Sequence, residues 1–124
     1  MEKITVNGST SYDVIVEHGI IDRVGELLRD NIGGEKAFIV TDSNVATLYL
    51  SKVSDSLKEA GYEVSSIVLA SGESTKSVEN YTFLVNLLSE HDFAKTDLVI
   101  ALGGVVIGDL TGFVASTFSL TLWI

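Results

Sequence analysis

Two glycines and a carboxylate stand close together in the segment ALGGVVIGDLTGF, residues 101–113. Gly103 and Gly104 follow an apolar run, and Asp109 comes shortly after them. Glycines let a backbone lie against a pyrophosphate, and the free N–H groups of a helix start attract that anion. A carboxylate beside them can accept hydrogen bonds from ribose hydroxyls. The segment therefore indicates a nucleotide site, and the alternative is a tight turn with Asp109 as an ordinary helix N-cap.

Two more polar segments follow apolar runs and contain a carboxylate. Thr41-Asp42-Ser43-Asn44 follows one apolar run, and Ser71-Gly72-Glu73-Ser74-Thr75-Lys76 follows the next. Carboxylates at strand ends suit ribose hydroxyls. The alternatives stay open here as well, because Asp42 can cap a helix and Glu73 with Lys76 can be a solvated ion pair of little energetic value.

The glycine pattern differs from the dinucleotide fingerprint G-x-G-x-x-G, and the acid Asp42 precedes the glycines instead of following them. His18 is expected at a strand end on the surface and His91 at a helix C-terminus, where the helix dipole favours it. There is no cysteine. We therefore predict no catalytic residue and no metal ligand in this chain.

The elements that must position these residues alternate along the sequence. They are predicted as a hairpin (3–8 and 11–18), a helix (20–31), a strand (36–41), a helix (42 to about 60), a strand (63–70), a helix (77–90), a strand (97–102) and a helix from about 107. This order predicts a single α/β domain with a Rossmann-like, doubly wound, mainly parallel sheet and an N-terminal β-hairpin. Ligands of such sheets bind beyond the carboxyl ends of the strands, where all three polar segments fall.

Composition excludes several classes of partner. The 124 residues carry a net charge of −9 with only eight Lys and Arg, which argues against nucleic acid. The N-terminus lacks the apolar core of a signal peptide, so a cytoplasmic location is expected. The apolar stretch 98–124 is long enough to span a bilayer, but its glycines and Asp109 favour a buried strand and helix, so no membrane partner is expected.

Three motifs in order carry a family resemblance: TDSNV (41–45), SGESTKS (71–77) and GGVVIGDLTGFVAST (103–117). Together they resemble the NAD-binding N-terminal domain of the 3-dehydroquinate synthase family, over residues 1–118. The alternatives are another sugar-phosphate cyclase, an iron-dependent alcohol or glycerol dehydrogenase type of domain, and a nucleotide-binding module without chemistry.

The resemblance implies a reaction of the shikimate pathway. A seven-carbon sugar phosphate, 3-deoxy-arabino-heptulosonate 7-phosphate, becomes 3-dehydroquinate and phosphate through transient oxidation by NAD. A divalent metal, zinc or cobalt, is held by a second domain of the family. By resemblance, four residues would face the adenosine side of NAD: Asp42, Asn44, Glu73 and Lys76. Four more would line the pyrophosphate and nicotinamide ribose, namely Gly103, Gly104, Val106 and Asp109, and Val105 completes the predicted cofactor-binding set.

Two departures from the family pattern matter. Val105 stands where the family usually has a third glycine, and a β-branched residue there would be strained if the site needs a positive φ. Residues 119–124 are predicted to be an atypical apolar tail, and we expect the metal-binding C-terminal domain of the family to be absent from this chain. We therefore expect a fragment that is inactive alone, binds NAD weakly or not at all, and forms a homo-oligomer through its apolar tail.

Overall fold

The structure is a computed structural model that describes residues 2–6, 12–16, 23–31, 33–93, 97–118 and 121–123. One sheet contains six strands: β1 (Glu2–Val6), β2 (Tyr12–Val16), β3 (Lys36–Asp42), β4 (Glu63–Leu69), β5 (Leu98–Leu102) and β6 (Thr121–Trp123). Their order across the sheet is β1-β2-β6-β5-β3-β4. Strands β1 and β2 pair antiparallel, and the other described pairs are parallel. The predicted α/β sheet with its N-terminal hairpin is confirmed, while the hairpin turn and His18 lie outside the described residues.

The helices follow the predicted alternation. They are α1 (Val24–Asn31), α2 (Ser43–Val45), α3 (Ser51–Glu59), α4 (Val78–Glu90) and α5 (Val105–Phe118). A π-helical turn, Ala46–Leu50, joins α2 to α3, and a 3₁₀ turn, Glu73–Thr75, precedes α4. The last helix begins two residues earlier than the predicted start near Ile107.

Helices cover both faces of the central strands. Odd-numbered positions of β3 and even-numbered positions of β5 pack against α1 and α3, and the remaining positions pack against α4 and α5. Every residue of β5 is buried, as expected of a parallel strand with helices on both sides. The first core centres on Ile39, Ile100 and Leu57, and the second on Phe38, Leu84, Leu88, Val99 and Leu110. The sheet is thus doubly wound.

Glycines end α1 and α3 where the sequence predicts. Gly33 and Gly61 adopt φ values of 81° and 95°, in the left-handed region that side chains avoid. The Gly33 N–H donates to the Leu28 carbonyl at 3.0 Å, and the Tyr62 N–H donates to the Leu57 carbonyl at 3.0 Å. These bonds satisfy the last carbonyls and turn the chain into β3 and β4.

The apolar tail contributes a strand that the sequence did not predict. Within β6, Leu122 pairs with Val14 of β2 on one side and with Val99 of β5 on the other. Residues 119, 120 and 124 lie outside the described residues. The long apolar stretch therefore divides into β5, α5 and β6. Within the described part of the chain, no helix is long and apolar enough to cross a membrane.

Candidate functional site

The carboxyl ends of β3, β4 and β5 bring the three polar segments to one edge of the sheet. Thr41 pairs with Leu102 in register, and Asp42 pairs with Leu69. The buried Thr41 hydroxyl also donates to the Leu102 carbonyl at 2.6 Å, which ties the ends of β3 and β5 together. The segments that begin at residues 42, 70 and 103 therefore leave the sheet side by side, as the strand pattern predicts.

The two glycines of the third segment differ in the space around them. A Cβ at Gly103 would lie 3.1 Å from the Ile107 side chain, closer than an ordinary van der Waals contact, so a larger residue here would press on the first turn of α5. A Cβ at Gly104 would meet no protein atom within 4 Å. Neither glycine has a positive φ. The space above Gly104 is therefore open, as a close-lying ligand requires.

Helix α5 begins directly after this turn. The Gly104 carbonyl accepts the first helical hydrogen bond, from the Gly108 N–H at 3.0 Å. Asp109 consequently lies in the second turn, and the alternative in which it is the N-cap is wrong. Val105 is the first residue of the helix, so its backbone does not need a positive φ. The backbone strain expected at Val105 is therefore absent, and the side chain of Val105 lies outside the described residues.

Asp42 and Asn44 lie at the end of β3. One carboxylate oxygen of Asp42, Oδ1, accepts hydrogen bonds from the Asn44 and Val45 N–H groups, both at 2.9 Å. Asp42 is thus the N-cap of α2, which confirms the alternative reading without testing a ligand role. In the described part of the structure, neither side chain bonds to the other candidate site residues.

The second and third segments meet through one lysine. Lys76 Nζ lies 3.2 Å from Glu73 Oε1 and 3.0 Å from Asp109 Oδ2. The Glu73–Lys76 ion pair that the sequence left open as an alternative is present, which does not test a ligand role, and its extension to Asp109 on α5 was not predicted. Hydrogen bonds to Asp109 and then to Glu73 raise the pKa of the Lys76 ammonium group. At neutral pH the lysine is a full positive charge between two carboxylates.

Several residues that hold this edge in place were missed from the sequence. The Thr75 hydroxyl donates to the Ala70 carbonyl, and the Asn80 side chain donates to the Thr75 carbonyl at 2.8 Å. The Ser77 hydroxyl caps α4 by accepting from the Asn80 N–H at 3.2 Å. These bonds fix the loop that carries Glu73 and Lys76. The sequence indicates one of these residues: Ser77 directly precedes a predicted helix, where serine is a typical N-cap.

A groove of about 310 Å³ opens beside Lys76, between α4 and α5. Its lining is mainly apolar, from Val78, Tyr81, Leu110 and Phe113. Among the described residues, no three His, Asp or Glu side chains lie close enough together to bind a metal ion. Among the described residues, this edge of the sheet therefore offers a glycine turn with open space above it, the three carboxylates of Asp42, Glu73 and Asp109, and the Lys76 ammonium group.

The sequence is similar to those of known proteins. A family model described as iron-containing alcohol dehydrogenase matches residues 15–123. A 3-dehydroquinate synthase from Enterococcus faecalis is 43% identical over 117 residues, which is 94% of this chain and 33% of that protein. The chain spans about a third of the length of the curated relatives it matches.

Solved structures show the same fold. A 2-deoxy-scyllo-inosose synthase, crystallised with carbaglucose-6-phosphate, NAD⁺ and Co²⁺, gives a TM-score of 0.73 at 14% identity, covering 98% of this chain and 33% of that chain. A 2-epi-5-epi-valiolone synthase from Streptomyces hygroscopicus, with NAD⁺ and Zn²⁺ bound, gives 0.70 at 25% identity, covering 97% and 33%. The chain therefore belongs to the family described as iron-containing alcohol dehydrogenase and, as its motifs predict, resembles 3-dehydroquinate synthases.

Proposed function

We propose that this chain is the NAD-binding part of a 3-dehydroquinate synthase. The observation that carries the proposal is the Gly103-Gly104 turn, with open space above Gly104, at the sheet edge where Asp109, Glu73 and Lys76 meet. The 43% identity to a curated synthase supports it. The reaction that we propose for the synthase is the conversion of 3-deoxy-arabino-heptulosonate 7-phosphate to 3-dehydroquinate and phosphate. It is implied by the resemblance to that family and not by the geometry of the site.

The residues present fit a dinucleotide. Gly104 leaves room for a pyrophosphate, and the N–H groups at the start of α5 can donate to it. Asp109 and Glu73 would accept from ribose hydroxyls, and Asp42 and Asn44 would border the adenosine side. When bound, NAD supplies the hydride acceptor that transiently oxidises a carbinol of the substrate. We assign no metal ligand to these residues, and no metal-dependent step.

The sharpest test of the NAD site is Gly104→Ala. Its Cβ would meet no protein atom within 4 Å and its φ is not left-handed, so the fold should tolerate the change. NAD lying over the turn would meet that Cβ, and binding should weaken about tenfold or more. Amide chemical shifts during an NAD titration measure weak binding directly, and Ser51→Ala on α3 is the matched surface control. Equal affinity of Gly104→Ala and wild type would contradict the proposed site.

A second test compares two carboxylates. We expect Asp109→Ala to weaken NAD binding more than Glu73→Ala does, because Asp109 lies on α5 beside the glycine turn and Glu73 is more exposed. Thermal unfolding of both variants controls for stability. Unchanged affinity in Asp109→Ala would remove Asp109 from the site.

We expect the chain alone to have no synthase activity, since it spans about a third of its relatives. Phosphate release from the seven-carbon substrate by the purified chain, with contaminating enzyme excluded, would contradict this expectation.

The homo-oligomer expected from the apolar tail remains a prediction. Residues 121–123 already pair with strands of the same chain on both sides, so this part of the tail cannot also pair with a strand of a second copy. Light scattering over a range of concentrations tests it, and a constant mass of 13.3 kDa would contradict it.

A further inference from the structure

Strand β4 forms one edge of the sheet. Its seven residues pair with β3 in continuous register, from Lys36 opposite Glu63 to Asp42 opposite Leu69. Among the described strands, β4 pairs with no other. The main-chain groups of a strand point alternately to its two sides, so β4 keeps a row of unpaired N–H and C=O groups on its outer side. The groups in such a row recognise an extended strand as their partner.

The helices leave this edge of the sheet uncovered. No residue of β4 is buried, whereas every residue of β5 is buried. Ser66 is exposed, and 47% of the surface of Val68 is exposed. Alternate residues of a strand share a face, so both lie on the same face as Val64, which packs against the first core. A strand added here would meet an open backbone and a partly exposed apolar side chain.

Strand β4 lacks the features that usually protect an edge strand, which are short length, lysine, proline or a bulge. It has seven residues without Lys or Pro, its pairing with β3 is unbroken, and its single charge, Glu63, is the first residue. The opposite edge, β1, has five residues and begins with Glu2 and Lys3. Strand addition is therefore favoured at β4 over β1.

The sequence of β4 is complementary to itself. Antiparallel pairing about a two-fold axis at Ser66 brings all seven residues of one copy opposite the seven of another. Val64 then faces Val68 of the second copy, twice by symmetry, and facing β-branched side chains stabilise a strand pair. Each Glu63 faces Leu69 of the second copy, so the two carboxylates lie at opposite ends of the pairing. The strand therefore fits a second copy of itself.

We propose that two copies of this chain associate through their β4 edges, in antiparallel register centred on Ser66, and form one sheet that continues across both copies. The inference does not depend on the proposed NAD site. It also uses a different surface from the apolar tail, because residues 121–123 lie between β2 and β5, inside the sheet.

Sedimentation velocity over a range of concentrations tests the association. It is measured at moderate salt, which screens the net charge of −9 on each copy. The mass of the wild-type chain should rise from 13.3 kDa towards twice that value. Ser66→Lys and Ser66→Glu should each stay monomeric, because like charges would face each other at the axis. The fold should tolerate both changes, since Ser66 is exposed.

A mixture of the two variants tests the register. Equal amounts of the Ser66→Lys and Ser66→Glu chains should recover the dimer, because opposite charges then face each other at the axis. Ser51→Lys, at an exposed position on α3, adds the same charge away from β4 and should dimerise as wild type does.

A cross-link tests the contact directly. The chain has no cysteine, so Ser66→Cys provides one thiol per copy. Facing residues of antiparallel strands have Cα atoms about 4.5–5.5 Å apart, which a disulfide can span. Mild oxidation should join Ser66→Cys into a covalent dimer on a non-reducing gel, and faster than Ser51→Cys at the same concentration. Equal rates in the two variants would overturn the proposal.

The remaining outcomes are as decisive. A constant mass of 13.3 kDa for the wild-type chain at every concentration would overturn the proposal. A dimer that persists in Ser66→Lys, with circular dichroism unchanged from wild type, would also overturn it and indicate association through another surface. Failure of the Ser66→Lys and Ser66→Glu mixture to recover the dimer would contradict the register centred on Ser66.

Discussion

Gly25 of α1 lies directly against the backbone of Ser56 of α3. A Cβ at Gly25 would come within 2.0 Å of the Ser56 carbonyl oxygen, and the Gly25 N–H donates to the Ser56 hydroxyl at 2.9 Å. The two helices therefore cross at a point where only glycine fits. This contact closes the core on one face of the sheet, at a distance from the candidate site.

Gly25→Ala should destabilise the fold. The clash is with backbone atoms, so α1 must move away from α3, at a cost of about 1–3 kcal/mol or more. Urea unfolding measures the change, and Gly104→Ala is the matched control because its Cβ meets open space. Equal stability of the two variants would contradict the helix crossing.

A second prediction concerns two buried threonines. Among the residues that the structure describes, the Thr111 hydroxyl has no hydrogen-bond partner, whereas the Thr41 hydroxyl donates to the Leu102 carbonyl at 2.6 Å. Thr111→Val should stabilise the chain by about 1 kcal/mol, because valine removes an unsatisfied polar group at nearly the same volume. Thr41→Val should destabilise it by about 1 kcal/mol, because the Leu102 carbonyl loses a donor. The same unfolding assay compares them, and a shift of the same sign in both variants would contradict this assignment.

The fold was predictable because its signals are local. Continuous apolar runs give buried strands, and Gly33 and Gly61 end helices at the predicted places. Strand β6 was missed because Thr121–Trp123 is too short for a strand pattern and becomes one only by pairing with β2 and β5. The start of α5 was misplaced because Gly103-Gly104 is typical of a turn, and the sequence does not show that the Gly104 carbonyl accepts the first helical hydrogen bond from the Gly108 N–H.

The candidate site was predictable only in outline. Parallel strands bring their carboxyl ends to one edge, so the meeting of the three polar segments follows from the strand order. The Lys76–Asp109 contact does not follow, because it depends on a loop fixed by Thr75 and Asn80 and on the turn of α5 that carries Asp109. The spacing in the sequence indicated the Glu73–Lys76 pair but not the contact of Lys76 with Asp109.

Tyr62 gives a prediction about alkaline pH. Its hydroxyl donates to the Gly33 carbonyl at 2.7 Å, and the Arg29 guanidinium lies 4.1 Å from its ring centre. Burial raises the pKa of Tyr62 above 10.0, and the nearby Arg29 charge partly opposes this. Because its pKa is higher in the folded chain than in the unfolded chain, Tyr62 contributes fully to the free energy of unfolding below pH 10. This contribution is lost as the pH rises through the pKa of the folded state.

Unfolding free energy should therefore fall more steeply above pH 10 in the wild-type chain than in Tyr62→Phe. At neutral pH the same variant should lose about 1 kcal/mol, the value of one hydrogen bond. Tyr49→Phe is the control, since Tyr49 is 40% exposed. Parallel pH profiles of wild type and Tyr62→Phe would show that Tyr62 titrates alike in the folded and unfolded chain.

The last prediction concerns Val105, where the 3-dehydroquinate synthase pattern has a third glycine. Val105→Gly should tighten NAD binding if that resemblance extends to the bound ligand, because it clears the first residue of α5 beside Gly104. Since Val105 is helical, the substitution should change stability by no more than about 1 kcal/mol through helix propensity. Val78→Gly makes the same change at the first residue of α4, outside the candidate site residues, and controls for a looser helix start. Amide shifts during NAD titration measure both variants. Tighter binding in Val105→Gly alone supports the third-glycine role, whereas equal affinities in both variants would contradict it.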